Sequence, residues 1–126
     1  MKTLVVDLDG TLTFEMPNTP YENVRPRQVE IARLREYADQ GFRIAIHTAR
    51  NMRTFGNSVG RINAVTAPII VEWLKRHEVP FDELYVGKPW CGDGGFYIDD
   101  KAIRPSEFVE HNLETIRRLL TTESKR

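Results

Sequence analysis

The chain has 126 residues, 40% hydrophobic and 29% charged, which fits one domain over residues 1–126 with a single core. Eighteen Lys plus Arg balance eighteen Asp plus Glu for a formal net charge of +0, so a general nucleic-acid binder with a basic excess is disfavoured. The one cysteine, Cys91, cannot close an intrachain disulfide, no apolar run nears the ~18–20 residues of a membrane span, and Asp7 interrupts the start too early for a signal peptide; a cytoplasmic protein with no membrane contact is expected.

Leu4-Val5-Val6 is a Val-rich run that reads as a strand buried on both faces, as in a parallel sheet. Asp7-Leu8-Asp9-Gly10 carries the chain out of it. Thr11 to Tyr21 has no helical period, and its Thr and Phe followed by Pro-Asn-Thr-Pro read as a small hairpin or flap. Pro26 to Gln40 is the first helix, with Val29, Ile31, Leu34 and Ala38 as its apolar stripe and Gly41 as its stop. Phe42 to His47 is a second strand, which completes a βαβ unit and leads into Thr48-Ala49-Arg50.

Asn51 to Arg61 contains Gly56 and Gly60 and reads as a loop with room for one helical turn. A second helix runs from Pro68 to His77, capped by Thr66, with Ile69, Ile70, Trp73 and Leu74 inward. Leu84-Tyr85-Val86 is a third strand, before Gly87-Lys88-Pro89. Phe96-Tyr97-Ile98 is a fourth, before Asp99-Asp100. The last helix runs from Ser106 to Leu120, and the polar tail after Thr121 is expected to fray.

Every expected strand thus ends in chemically capable residues: Asp7 and Asp9, Thr48, Lys88, and Asp99 with Asp100. In open α/β sheets ligands lie beyond the carboxyl ends of the strands, so these endings converge on one site. Asp7 and Asp9, two apart on extended backbone, point to the same side. Their mutual repulsion calls for a cation, and carboxylates in this number suit Mg2+. Zinc is a poor match, because His47, His77 and His111 lie on different elements. The Thr48 hydroxyl and the Lys88 ammonium suit the nonbridging oxygens of a phosphoryl group. A carboxylate can attack phosphorus to give an acyl phosphate, while a second one protonates the leaving oxygen and later deprotonates water.

Asp7-Leu8-Asp9-Gly10-Thr11-Leu12 resembles the first motif of the haloacid dehalogenase superfamily. The IHTAR segment resembles the second motif, Lys88 in VGKP the third and FYIDD the fourth, all in order. The stretches TARNMRT, VGKPWCG and YIDDKAIRPSEF are similar to the small capless phosphatases associated with capsule-polysaccharide biosynthesis. The resemblance implies an α/β fold: a three-layer α/β/α sandwich with a small, mainly parallel sheet and no cap domain. It implies a Mg2+-dependent phosphomonoester hydrolase acting through phospho-Asp7 on a small phosphorylated metabolite such as a sugar phosphate. Asp7 would be nucleophile and metal ligand. Asp9 would be general acid and base, with its main-chain carbonyl on the metal. Thr48 and Lys88 would hold the transferring group. Of the acidic pair, Asp100 is favoured as the direct ligand, with Asp99 behind it or acting through water. Gly10, Arg50, Arg53 and Trp90 are candidates for substrate binding, though Trp90 reads equally as a lid over the core. Two other functions stay open: a phosphotransferase using the same phospho-aspartate, and a non-catalytic metal-binding regulatory protein.

Two features depart from that pattern. Only ten residues separate Lys88 from Asp99, whereas a parallel crossover usually takes a dozen or more. If strands three and four flank the first two, that connection must move ~14 Å sideways, and about eight extended residues reach roughly 26 Å; it is feasible but nearly taut, with Gly92, Gly94 and Gly95 supplying the bends. Neither the flap nor the 51–65 loop can build a lid domain, so an open site or a partner subunit over it is expected, and homo-oligomerisation with it.

Overall fold

The computed structural model describes residues 2–126, and its backbone groups into two compact units, Met1–Trp90 and Cys91–Arg126. The first unit is a small parallel α/β structure. Strand β1 (Thr3–Asp7) is followed by helix α1 (Gln28–Asp39), strand β2 (Arg43–His47), a short helix α2 (Val59–Arg61), a π-helical turn (Ile62–Thr66), helix α3 (Ala67–Arg76) and strand β3 (Glu83–Tyr85). Among the described residues the sheet has three strands in the order β1-β2-β3. Asp7 stands level with His47 across one parallel ladder, and His47 with Tyr85 across the other.

Position in the sheet explains burial. Central β2 hides Ile44, Ala45 and Ile46 almost completely, as expected for a strand covered on both faces. Edge strand β1 differs from the expectation of two buried faces, since Val5 at its middle is 67% exposed. Helix α1 buries Ile31, Leu34 and Tyr37. Val29, expected in that stripe, is exposed instead; the stripe runs through Tyr37, whose ring meets Phe42 edge-on at 5.2 Å.

The largest departure in this unit lies at residues 59–66. The helical segment starts at Val59, where the Ser58 hydroxyl accepts from the Arg61 amide, so Ser58 is the cap and Thr66 is not. Thr66 lies inside the helical run, buried, and its hydroxyl accepts from the Asn51 side chain at 2.6 Å. A physical reason for the π turn stands just beyond it. Pro68 has no amide hydrogen, and its ring would press on the carbonyl four residues back in a regular helix; a wider turn ahead of it relieves both problems.

The second unit contains α4 (Pro105–Glu110) and α5 (Leu113–Ser124). The single helix expected over 106–120 is therefore two, broken at His111 and restarted by Asn112, whose side-chain oxygen accepts from the Thr115 amide at 2.9 Å. The tail stays helical to Ser124. Phe96–Ile98, expected as a fourth strand, forms none; the three side chains are 76%, 49% and 89% exposed.

Candidate active site

The carboxyl ends of β1 and β2 and the segment after β3 carry the chemistry of the first unit. After Asp7 the chain folds tightly over the Leu8 carbonyl, which accepts from the amides of Thr11, Leu12 and Thr13. Leu8 and Leu12 point into the core, almost fully buried, and so pin the turn. Gly10 adopts φ +80 there, a conformation a side chain would strain. The turn presents Asp7 and Asp9 in different settings.

Asp7 accepts from the Thr11 hydroxyl at 3.1 Å, and the Lys88 ammonium stands 3.6 Å from its other oxygen. Burial pushes the Asp7 carboxyl above its ordinary range, with Lys88 and Thr11 opposing that push and Asp9 adding to it. Asp9 faces Arg50 instead, accepting from its Nε at 3.2 Å and from a terminal nitrogen at 2.6 Å. This two-pronged pair joins an almost fully buried guanidinium to a carboxylate that is 40% exposed. The Tyr21 ring packs on the same guanidinium at 4.0 Å. Burial, then the Asp9 charge, raise the Tyr21 hydroxyl above its usual range, against Arg50.

Thr48 ties the strand ends together. Its amide donates to the Tyr85 carbonyl and its carbonyl accepts from the Lys88 amide, which fixes where the Lys88 segment leaves the sheet. Its buried hydroxyl accepts from the Arg50 amide at 3.0 Å. His47, beside Asp7 in register, is held below its ordinary range first by burial and then by Lys88. Arg53 lies 5.9 Å from the Trp90 ring, which is 46% exposed.

Asp7, Asp9, Thr48, Arg50 and Lys88 thus form one bonded cluster. Asp99 and Asp100 belong to the second unit; both are exposed, and Asp99 accepts from the Lys101 amide at 2.8 Å. The pairing of Arg50 with Asp9 and the place of Tyr21 were not legible in the sequence, because no local spacing links residues 9, 21 and 50. An aromatic residue closing a Pro-flanked segment was the only available hint. Among the described residues no group of three or more His, Cys, Asp or Glu is brought together to hold a metal ion; the carboxylates of this cluster are those of Asp7 and Asp9, which face Lys88 and Arg50.

The backbone fold is similar to that of two solved structures. One is D,D-heptose 1.7-bisphosphate phosphatase from B. bronchiseptica, complexed with magnesium and phosphate, at TM-score 0.50 and 13% identity over 75% of this chain and 54% of that one. The other is a Pnkp1/Rnl/Hen1 complex, at TM-score 0.52 and 19% identity over 86% of this chain and 33% of that one. These likenesses are of fold alone. At much shorter range, a structural-genomics target from Vibrio cholerae is 59% identical at TM-score 0.94, over 98% of this chain and 99% of that one. The chain belongs to the same family as that protein. No family model and no curated protein matches it. Among the described residues, no helix is long and apolar enough to cross a membrane.

Proposed function

We propose that the protein is a Mg2+-dependent phosphomonoester hydrolase that works through an aspartyl phosphate on Asp7. The observation that carries this reading is the contrast within the acidic turn: Asp7 stands between a hydroxyl and an ammonium, while Asp9 is clamped by a buried guanidinium. Burial that disfavours the Asp7 charge favours its use as a nucleophile, and Lys88 opposes the upward push on its carboxyl.

In the reaction, an Asp7 oxygen attacks phosphorus and the bond to the leaving oxygen breaks. Asp9, released from the Arg50 pair it makes here and carrying a proton, gives that proton to the leaving oxygen. Water then attacks the acyl phosphate, Asp9 takes the water proton, and phosphate leaves with Asp7 restored. Lys88 and the Thr48 hydroxyl offset charge on the transferring group. A bound Mg2+, which the Asp7 carboxylate and the Asp9 carbonyl would help to hold in this reading, would supply electrostatic stabilisation of the phosphoryl oxygens.

The substrate in this reading is a small phosphorylated metabolite, a sugar phosphate among them. Its support is the resemblance of the TARNMRT, VGKPWCG and YIDDKAIRPSEF stretches to the small capless phosphatases associated with capsule-polysaccharide biosynthesis. In this reading Gly10, Arg53 and Trp90 would meet its non-reacting part, the Arg53 guanidinium lying 5.9 Å from the Trp90 ring.

A panel of phosphorylated sugars and polyols, assayed with Mg2+, tests the reading. The wild type releases phosphate from at least one of them, Asp7→Asn does not, and Lys88→Ala falls at least ~100-fold. Undiminished release by Asp7→Asn refutes the mechanism.

A further inference from the structure

We propose that the protein acts as a strand-exchanged homodimer: Phe96–Ile98 of one copy adds to the β1 edge of the other and brings Asp99 and Asp100 beside that copy's Asp7. The part concerning Asp7 rests on the reading of the site given above; the strand exchange does not.

The acceptor is β1. It lies at the edge of the sheet, so among the described residues one side of its main chain has no partner strand. Edge strands invite pairing unless blunted by charge, proline or a bulge. The run Leu4-Val5-Val6 has no such protection, and Val5 at its centre is 67% exposed. The donor is Phe96-Tyr97-Ile98, three consecutive large side chains of high strand propensity. They form no strand, and their exposure is 76%, 49% and 89%. Added parallel to β1 with Phe96–Ile98 beside Leu4–Val6, this segment would set Asp99 level with Asp7.

Chain length favours a second copy over the same one. β3 ends at Tyr85, leaving ten residues, 86–95, before Phe96. A connection from β3 to the far side of β1 crosses ~14 Å of sheet and must also return to the other end of the strands. Parallel crossovers normally take a dozen residues or more. Here part of the length is spent in a turn, closed by the Gly95 amide on the Gly92 carbonyl at 3.3 Å. The turn is built in, because a Cβ on Gly95 would lie 2.0 Å from the Cys91 carbonyl oxygen. About six extended residues remain, reaching roughly 20 Å. A donor from another copy is free of this limit.

The area is sufficient. A buried Phe or Tyr removes about 150–250 Å2 from water. Two donor segments and two acceptor edges, related by a twofold axis, then bury on the order of 1,200–1,600 Å2, the size of a stable interface. A twofold exchange uses each surface once and closes on itself. With a formal net charge of +0, no long-range repulsion opposes association.

Sedimentation and activity test the proposal together. Wild type at micromolar concentration is expected to sediment as a dimer, and Phe96→Asp/Ile98→Asp as a folded monomer by circular dichroism. Next, Asp7→Asn and Asp99→Ala/Asp100→Ala chains, each inactive alone, are unfolded and refolded together. One competent site forms in each mixed dimer, so about a quarter of wild-type activity returns on statistical mixing. A wild-type monomer, or a dimer that survives Phe96→Asp/Ile98→Asp, overturns the exchange. An active wild type with no recovery in the mixture overturns the shared site. If wild type hydrolyses nothing in the panel, the phosphatase reading fails by itself, and the sedimentation arms still decide the exchange.

Discussion

Asp7 and Asp9 stand two residues apart, and the fold treats them in opposite ways. Burial raises the Asp7 carboxyl above its ordinary range, so the folded state binds that proton more tightly than the unfolded chain does. The stability this contributes is fully present below the unfolded value and is lost as pH rises through the folded one. At neutral pH the Asp7 charge therefore costs stability. Asp7→Asn should melt higher than wild type at pH 7, with the difference shrinking toward pH 4 and kept small because the Asp7 side chain is 37% exposed. Asp9 behaves conversely, because its partner Arg50 is almost fully buried. Removing one member of such a pair leaves a buried charge uncompensated. Asp9→Ala should lose about 2–3 kcal/mol in denaturant unfolding, a figure kept modest because the Asp9 side chain is 40% exposed. Equal destabilisation by the two substitutions would show that the contrast between the carboxylates is wrong.

Among the elements, α3 does most to hold the segment that carries Tyr21. Trp73 is buried, and its indole donates to the Val24 carbonyl at 2.9 Å; Arg76 reaches the Glu22 carbonyl from the same helix. Trp73→Phe would strand the Val24 carbonyl and leave a void, at about 2–3 kcal/mol. Its effect should extend to Tyr21, reducing turnover as well as stability. At the end of α3, His77 lies against Trp73 at 4.6 Å. Burial, then Arg76, hold its imidazole below the usual value, with Glu72 opposing. Stability from this group is present above the unfolded pKa near 6.5 and is lost as pH falls through the folded one. His77→Gln should therefore flatten the decline in melting temperature between pH 7 and pH 5.5.

The elements with strong periodicity were legible in the sequence: the strand–helix–strand of residues 3–47 and the apolar face of α3. Three polar strand ends were legible too, since Asp7, Thr48 and Lys88 follow apolar runs at once. The 59–66 segment was not, because Gly60 and Pro68 mimic a loop and a helix start, and only the turn's geometry reconciles them. The break at His111–Asn112 was hidden by apolar residues on both sides that keep one helical rhythm. Arg50 looked like a substrate arginine from its position after β2; its burial against Asp9 depends on a contact across 41 residues.

At the scale of the whole molecule, the sequence and the structure differ over one segment, Phe96–Ile98, and the difference has a measurable consequence. Local composition is that of a strand, yet a strand needs a neighbour, and the ten residues before it restrict which neighbour it can reach. Exchange between copies reconciles the two, because pairing then depends on concentration rather than on linker length. Chymotrypsin, which cleaves after aromatic residues, reads this directly. In a dilute, dissociated sample Phe96 and Tyr97 are exposed and should be cut first, separating the chain near the boundary of its two units. At concentrations where copies associate, the same bonds enter a sheet and are withdrawn from the protease, since cleavage follows the population of the open form. The initial cleavage rate per molecule should fall at least ~10-fold across the association range and stay constant for Phe96→Asp/Ile98→Asp. A rate independent of concentration in the wild type would mean that the segment finds no second copy.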